Sequence, residues 1–219
     1  GNLAGYDYEV LKAVNKLLPQ YKFEYQTYDF KNVLLSLDAG KIDLAAHQYE
    51  KNEEREKKYL FGKESYTTYT TYITIANDNN TIHSLEDLQG KRVQVSTGSN
   101  SAYLMEKYNE EHKDHPINLI YTDGSTEEEI VTAIKNHVWD ATIMTKRDAA
   151  KRNQTFGKGE IILKQVGKPI ATSQTYFIFN KDNTELQEAV DGALKQLKNS
   201  GKLAEISRSI LGDNYTEKE

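Results

Sequence analysis

Apolar residues recur at helical spacing near the amino end of the chain: Val10, Leu11, Val14, Leu17 and Leu18 follow Asp7, whose carboxylate suits the cap of a first turn. The spacing predicts an amphipathic helix. Tyr21, Phe23 and Tyr25 then alternate with Lys22, Glu24 and Gln26, the period of a half-buried strand. Helical spacing returns at Phe30, Val33, Leu34 and Leu37 before Gly40, and residues 42–46 read as a short buried strand. Helix, strand, helix and strand in this order predict a parallel α/β layer with short crossover connections.

A longer β-rich run, YTTYTTYITIA at 66–76, has neither Gly nor Pro and exceeds what one core strand usually needs. A strand that leaves one lobe and enters another has this character. In the series that follows, Ser84 and Asp87 have capping-box spacing ahead of Gly90, and residues 92–96 read as a strand. A helix is expected to start within the turn T97-G98-S99-N100-S101. Residues 118–121 are the next strand, Thr126 and Glu129 cap a helix whose buried face carries Ile130, Ile134 and Val138, and 140–145 is a strand again. Residues 161–167 are strand-like, and TYFIF at 175–179 is read as a return strand. Thr184 and Gln187 then cap a helix carrying Leu186, Ala189, Ala193, Leu194 and Leu197 to Gly201, and a last helix runs through Leu203, Ile206 and Ile210. The layout is one lobe of residues 1–70 plus 175–219, an inserted lobe of 71–174, and two crossing strands between them.

Composition narrows the partners. With 37% apolar and 28% charged residues the chain reads as an ordinary globular protein, and no stretch approaches the roughly 20 apolar residues that span a bilayer. Its 33 acidic against 28 basic residues, a net charge of -5, argue against a surface for nucleic acid. No Cys occurs, which excludes disulfides, thiolate metal sites and cysteine nucleophiles. Neither a signal segment nor a lipid-anchor motif precedes Gly1-Asn2-Leu3, so the chain reads as processed or trimmed.

Four segments carry a family resemblance in order: GYDYEVLKAV at 5–14, DFKNVLLSLDAGKIDLA at 29–45, NEEREKKYLFGKESY at 52–66 and SLEDLQGKRVQVSTGSN at 84–100. Two weaker ones follow, WDATIMT at 139–145 and the final helices after FIFNKDNTEL. The set resembles the type II periplasmic-binding-protein family, specifically the polar amino-acid-binding components of ABC importers. It implies an α/β, two-lobed Venus-flytrap fold that closes on a ligand about two crossover strands, with no chemistry and no cofactor of its own. Similar proteins begin earlier, with a first strand and a loop that here would precede Gly1 and that supply one wall of the site.

The resemblance implies roles for particular residues. Arg55 stands where similar proteins hold the ligand's α-carboxylate, and a guanidinium forks onto a carboxylate through two parallel hydrogen bonds. Its alternative is a solvated helix Arg balancing Glu53, Glu54 and Glu56. Gly98, Ser99 and Asn100 precede a helix, whose free N–H groups suit the same carboxylate; the alternative is an N-cap without a ligand. His47, Gln48 and Glu50 follow the strand at 42–46, where similar proteins present small hydroxyl or backbone contacts, and their larger polar side chains suit a ligand with polar groups far from its α-carbon. A structural His47 paired with backbone is equally open. Phe30 either packs on the ligand's side chain or belongs to the helix's core stripe. Thr145 stands where many amino-acid binders place the Asp that receives the α-ammonium, so that role passes to Glu50, to Asp148 or to a residue before Gly1, with Glu50 ranked first.

The wording of HQYEKNEEREKKYLF, with SQTYFIFNK at 173–181, is similar to the cystine-binding members of Gram-positive bacteria, and cystine carries two α-amino-acid ends. The implied setting is a monomer, extracellular and held as a membrane-anchored lipoprotein, or periplasmic, that delivers its amino acid to an ABC permease and ATPase. Two rivals stand beside this. An enzyme on the same fold needs a placed acid or base, and the pairs Glu53 with Glu54 and Glu127 with Glu128 are adjacent residues that point apart at helix starts. A sensor would bind the same ligand and signal through an attached membrane segment. His112 and His115 could suggest a metal, but a polar loop before Pro116 reads as solvated.

Overall fold

The computed structural model describes residues 3–217, apart from the side chains of Phe30 and Lys31. The chain forms two compact units, one of the residues up to Tyr69 with those from Ser173 onward, the other of Thr70–Thr172.

In the first unit, helix α1 (Tyr6–Leu17) buries Tyr6, Val10 and Val14, the stripe its periodicity marks. Gly5 is its N-cap, so Asp7 lies inside the first turn rather than capping it. Helix α2 (Phe30–Asp38) follows the expected bounds. Strand β1 (Leu44–Glu50) starts later and runs further than the apolar run suggested, and it leads through helix α3 (Glu53–Lys58) to the short strand β2 (Leu60–Phe61). The alternation at 21–26 is not a ladder strand. These residues pair with no described strand, and the Asn15 side chain takes the place of a ladder partner: its Nδ2 donates to the Tyr21 carbonyl at 2.7 Å and its Oδ1 accepts from the Phe23 N–H at 3.1 Å.

Strand β3 (Thr67–Ala76) carries the chain into the second unit, as the long run at 66–76 suggested. Beyond it lie a 3-10 turn (Glu86–Leu88), β4 (Arg92–Val95), α4 (Asn100–Glu111), β5 (Asn118–Tyr121), α5 (Glu127–Lys135), β6 (Thr142–Thr145) and α6 (Lys146–Phe156). Ser84 and Asp87 do not form the expected box; Asp87 instead accepts the His83 N–H at 2.8 Å. Val138, expected on a buried helix face, falls after α5 ends and is 53% exposed. Helix α6 had no sequence signal of apolar period, and Ala149 is its buried residue.

A single strand, β7 (Leu163–Phe179), replaces the two strands read at 161–167 and 175–179. Gly167 accounts for the apparent break. Its φ of 75° bends the strand, and a Cβ there would lie 3.1 Å from the His83 carbonyl oxygen, so only Gly suits the approach. Helices α7 (Thr184–Asn199) and α8 (Lys202–Leu211) close the chain, with Asn183 rather than Thr184 as the cap position of α7.

The sheets are mixed, not the parallel layer that helix–strand alternation suggested. Strands β1 and β2 both pair antiparallel with β7, and β3 pairs antiparallel with β6, because the returning strand is inserted beside β1. Strands β4 and β5, with a bridge from Val93 to Ala141, keep the parallel relation. The first unit's core gathers Val10, Val14, Tyr66, Phe177, Phe179 and Leu194, and the second unit's gathers Ile73, Ile75, Leu88, Val93 and Met105.

Candidate functional site

In the first unit the expected residues lie around an irregularity in β1. Ala45 pairs with Ile178 and Tyr49 with Tyr176, so Ala46, His47 and Gln48 stand opposite Phe177 alone. Two extra residues leave the alternation in phase, and Ala45 and Tyr49 are both buried. Gln48 has φ 53°, a left-handed backbone that costs a non-Gly residue roughly 1–3 kcal/mol and persists where the surroundings enforce it.

Those surroundings are a buried hydrogen-bonded chain. The Gln48 N–H donates to the Tyr66 hydroxyl at 2.7 Å, and the Asp7 carboxylate lies close enough to that hydroxyl to raise its pKa. The Gln48 side chain lies beside Asp7, and its Oε1 accepts from the Tyr69 hydroxyl at 2.6 Å. Tyr66 is fully buried, stacked on Phe177 with ring centroids 4.1 Å apart, and burial raises its hydroxyl well above the usual range. Burial also raises Asp7, opposed by hydrogen bonds from Tyr66 and Gln48 and by the nearby His47. One Asp7 oxygen, Oδ1, is buried with no hydrogen-bond partner among the described residues. Gln48 is therefore turned into the protein rather than presented to solvent.

Arg55 differs from the rest of its helix. Every other residue of the six-residue α3 is exposed, whereas Arg55 is partly buried. Asn52 caps the helix by accepting the Arg55 N–H at 2.8 Å, which aims the side chain back toward β1. There its guanidinium donates to the Glu50 carbonyl at 2.9 Å and lies 5.3 Å from the Tyr49 ring centre. Among the described residues it forms no ion pair, and four of the five guanidinium N–H donors remain. The Glu50 carboxyl is held above its ordinary range by burial, with Arg55 acting against the rise. Burial likewise pushes the Tyr49 hydroxyl up to about 12, again against Arg55. His47 is exposed, with its ring 6.2 Å from that of Tyr49. Phe30 opens α2, and its side chain is outside the described residues.

A groove of about 650 Å³ runs along the same unit, walled by the extended segment 21–28, by residues 41–44 and by Asp7 and His47.

The second unit offers a different arrangement. Gly98, at φ 76°, turns the chain from β4 into α4, and the Ser99 hydroxyl accepts the Ala102 N–H at 3.1 Å as the helix cap. Asp123 fastens the turn by accepting from the Thr97 N–H at 3.1 Å and from the Thr97 hydroxyl, and these bonds lower its carboxyl below the ordinary range. Asn100 is the first helical residue and partly buried. Thr145 caps α6 in the same manner, accepting the Asp148 N–H at 3.0 Å, and only 4% of it is exposed. Its hydroxyl is thereby committed to the helix. Asp7, Tyr66 and Tyr69 went unnoticed in the sequence because Asp7 looked like a cap and the two tyrosines lie in a uniformly polar-aromatic run.

A profile of the bacterial extracellular solute-binding proteins, family 3, matches residues 1–213. Among curated proteins, the chain is 42% identical over 217 residues to the L-cystine-binding protein TcyJ of Bacillus subtilis (strain 168), covering 99% of this chain and 79% of the relative. It is 39% identical over 219 residues to the L-cystine-binding protein TcyK of the same organism, covering 100% of this chain and 79% of that one. Among solved structures, a putative L-cystine ABC transporter protein from Listeria monocytogenes superposes with a TM-score of 0.77 at 39% identity, covering 99% of this chain and 90% of that one.

Proposed function

The chain belongs to the bacterial extracellular solute-binding proteins, family 3, and from that premise we propose that it captures an amino acid, cystine foremost, for an ABC importer. The family is one of solute-binding proteins rather than enzymes, which removes the enzyme reading. Cystine is favoured because two relatives near 40% identity across the whole chain carry that ligand in their names.

The observation that carries the reading is Arg55: partly buried, steered by the Glu50 carbonyl and the Tyr49 ring, and without an ion-pair partner among the described residues. A partly buried guanidinium with unused N–H donors suits an incoming carboxylate. In the proposed complex Arg55 receives the α-carboxylate, the N–H groups of the Gly98-Ser99-Asn100 turn complete its hydrogen bonds, and Glu50 receives the ammonium in place of the Asp that Thr145 replaces. His47 faces the distal polar end of cystine. Residues 1–70 with 175–219 form one lobe and 71–174 the other, and ligand binding favours their closure about β3 and β7. The loaded protein, a lipoprotein anchored outside a Gram-positive cell, then docks as a monomer on a permease whose ATPase drives import.

Calorimetric titration of the full-length chain against cystine, cysteine, glutamine, histidine, arginine and glutamate tests this. Binding of cystine that disappears on adding reductant is the expected result. Binding of another amino acid alone moves the specificity, and binding of none removes the function.

A further inference from the structure

We propose that Gln48 is a positioning residue for the ligand site, which holds the β1 irregularity in shape and thereby aims His47, Glu50 and Arg55, and that its own side chain does not touch the ligand. The inference rests on the proposed amino-acid site and goes further by dividing its residues into those that contact and those that aim.

Three features converge on Gln48. Its backbone is left-handed, a conformation glycine adopts freely and a straight-chain residue does not. Its N–H donates to the Tyr66 hydroxyl and its amide oxygen accepts from Tyr69, with Asp7 beside it. The tyrosine that receives its N–H is itself immobilised: Tyr66 stacks on Phe177, and its backbone carbonyl accepts from the Tyr6 hydroxyl at 2.5 Å. With its N–H and amide oxygen so engaged, Gln48 is held by the protein at both backbone and side chain. Its neighbours are the residues that change direction if it relaxes, because Glu50 presents the carbonyl that steers Arg55 and the irregularity spans His47. Releasing the left-handed turn would return 46–48 toward a regular ladder, shifting Glu50 and the Arg55 anchor along β7. Tyr66 thus acts on the ligand through Gln48.

Backbone tolerance separates aiming from contact. Gln48→Gly keeps the left-handed turn without the amide, whereas Gln48→Val opposes that turn. Cystine affinity is expected to fall about threefold or less in the first and about thirtyfold or more in the second. Equal losses in the two would mean that the amide itself contacts the ligand, and no loss in either would mean that the irregularity aims nothing; both overturn the proposal. Tyr69→Phe, which removes only the hydroxyl, is expected to cost nothing further in the Gln48→Gly background, and an additive loss there also overturns it.

A second measurement needs no ligand and so separates this proposal from the function it rests on. In the free protein the Gln48 amide hydrogen is expected to exchange slowly, and Tyr66→Phe, which leaves the stacked ring in place, to speed it at least about tenfold relative to neighbouring β1 amides. Fast exchange in the unmodified protein removes the clamp whatever the chain binds. Failure of every amino acid to bind, with the Gln48 amide protected, removes the amino-acid site and with it the aiming role.

Discussion

The two units present the same kind of surface chemistry by opposite means. In the first, the candidate residues are charged or strained side chains tied into the core: Arg55 is steered by Glu50 and Tyr49, and Gln48 is fixed by Tyr66 and Tyr69. In the second, the candidates are helix starts, where Ser99 and Thr145 each close a first turn with their own hydroxyl. Charge and directional side chains lie on one unit, backbone donors on the other. Under the proposed function, selectivity would rest on the first unit's side chains, and the second unit's helix starts would offer donors that suit any carboxylate.

The sharpest way to break this contrast is Arg55→Ala. Cystine affinity should drop at least about a hundredfold, roughly 3 kcal/mol, while thermal stability barely changes, because the side chain's bonds are to one carbonyl and one ring face. Calorimetry alongside a melting curve reads both. A loss under about threefold would make Arg55 an ordinary helix residue and erase the asymmetry.

Glu50→Gln comes next, with an expected loss of about tenfold for ligands bearing an α-ammonium and none for a des-amino analogue. The pH dependence carries the same information. Burial raises the Glu50 carboxyl, so as pH falls through that raised value the group gains a proton and loses its attraction for an ammonium. Affinity of the unmodified protein should fall on that descent while the Gln variant stays level; parallel curves would send the ammonium elsewhere.

For the second unit, Thr145→Ala should cost about 1 kcal/mol of stability through the lost cap of α6 and change affinity by less than about threefold. A large affinity loss would show that Thr145 contacts the ligand after all, and that the second unit also selects.

Much of this was legible in the pattern of residues, and what was not has physical causes. Helical stripes such as Val10, Val14 and Leu18 were plain because burial repeats every turn. Arg55 and the Gly98 turn stood out through motifs, and the helix-start hydroxyls through spacing. Sheet order escaped, since nothing local in TYFIF says that β7 comes back beside β1. The strand signal at 21–26 reported an extended chain correctly but could not reveal that Asn15 serves as its partner. Gln48 was singled out as a ligand candidate, but its inward bonds could not be read, because they involve Tyr66 and Tyr69, residues distant in sequence and individually unremarkable in a chain with 15 tyrosines.

Asp7→Asn gives the smallest effect and the finest discrimination. Burial raises the Asp7 carboxyl above 3.8, so the folded protein holds that proton at pH values where the unfolded chain has released it. Its contribution to stability is fully present below the unfolded value and declines as pH rises through the raised folded value. Asn keeps an acceptor for the Tyr66 hydroxyl but has no proton to lose. The unmodified protein should therefore lose stability relative to Asp7→Asn as pH rises through this window, by a small amount because Tyr66, His47 and Gln48 offset part of the burial. Denaturant melts of both proteins at successive pH values measure the difference. A difference that stays constant with pH would mean that Asp7 is not strained by its burial, and that the first unit's residues are no more deeply committed to the core than the helix caps of the second.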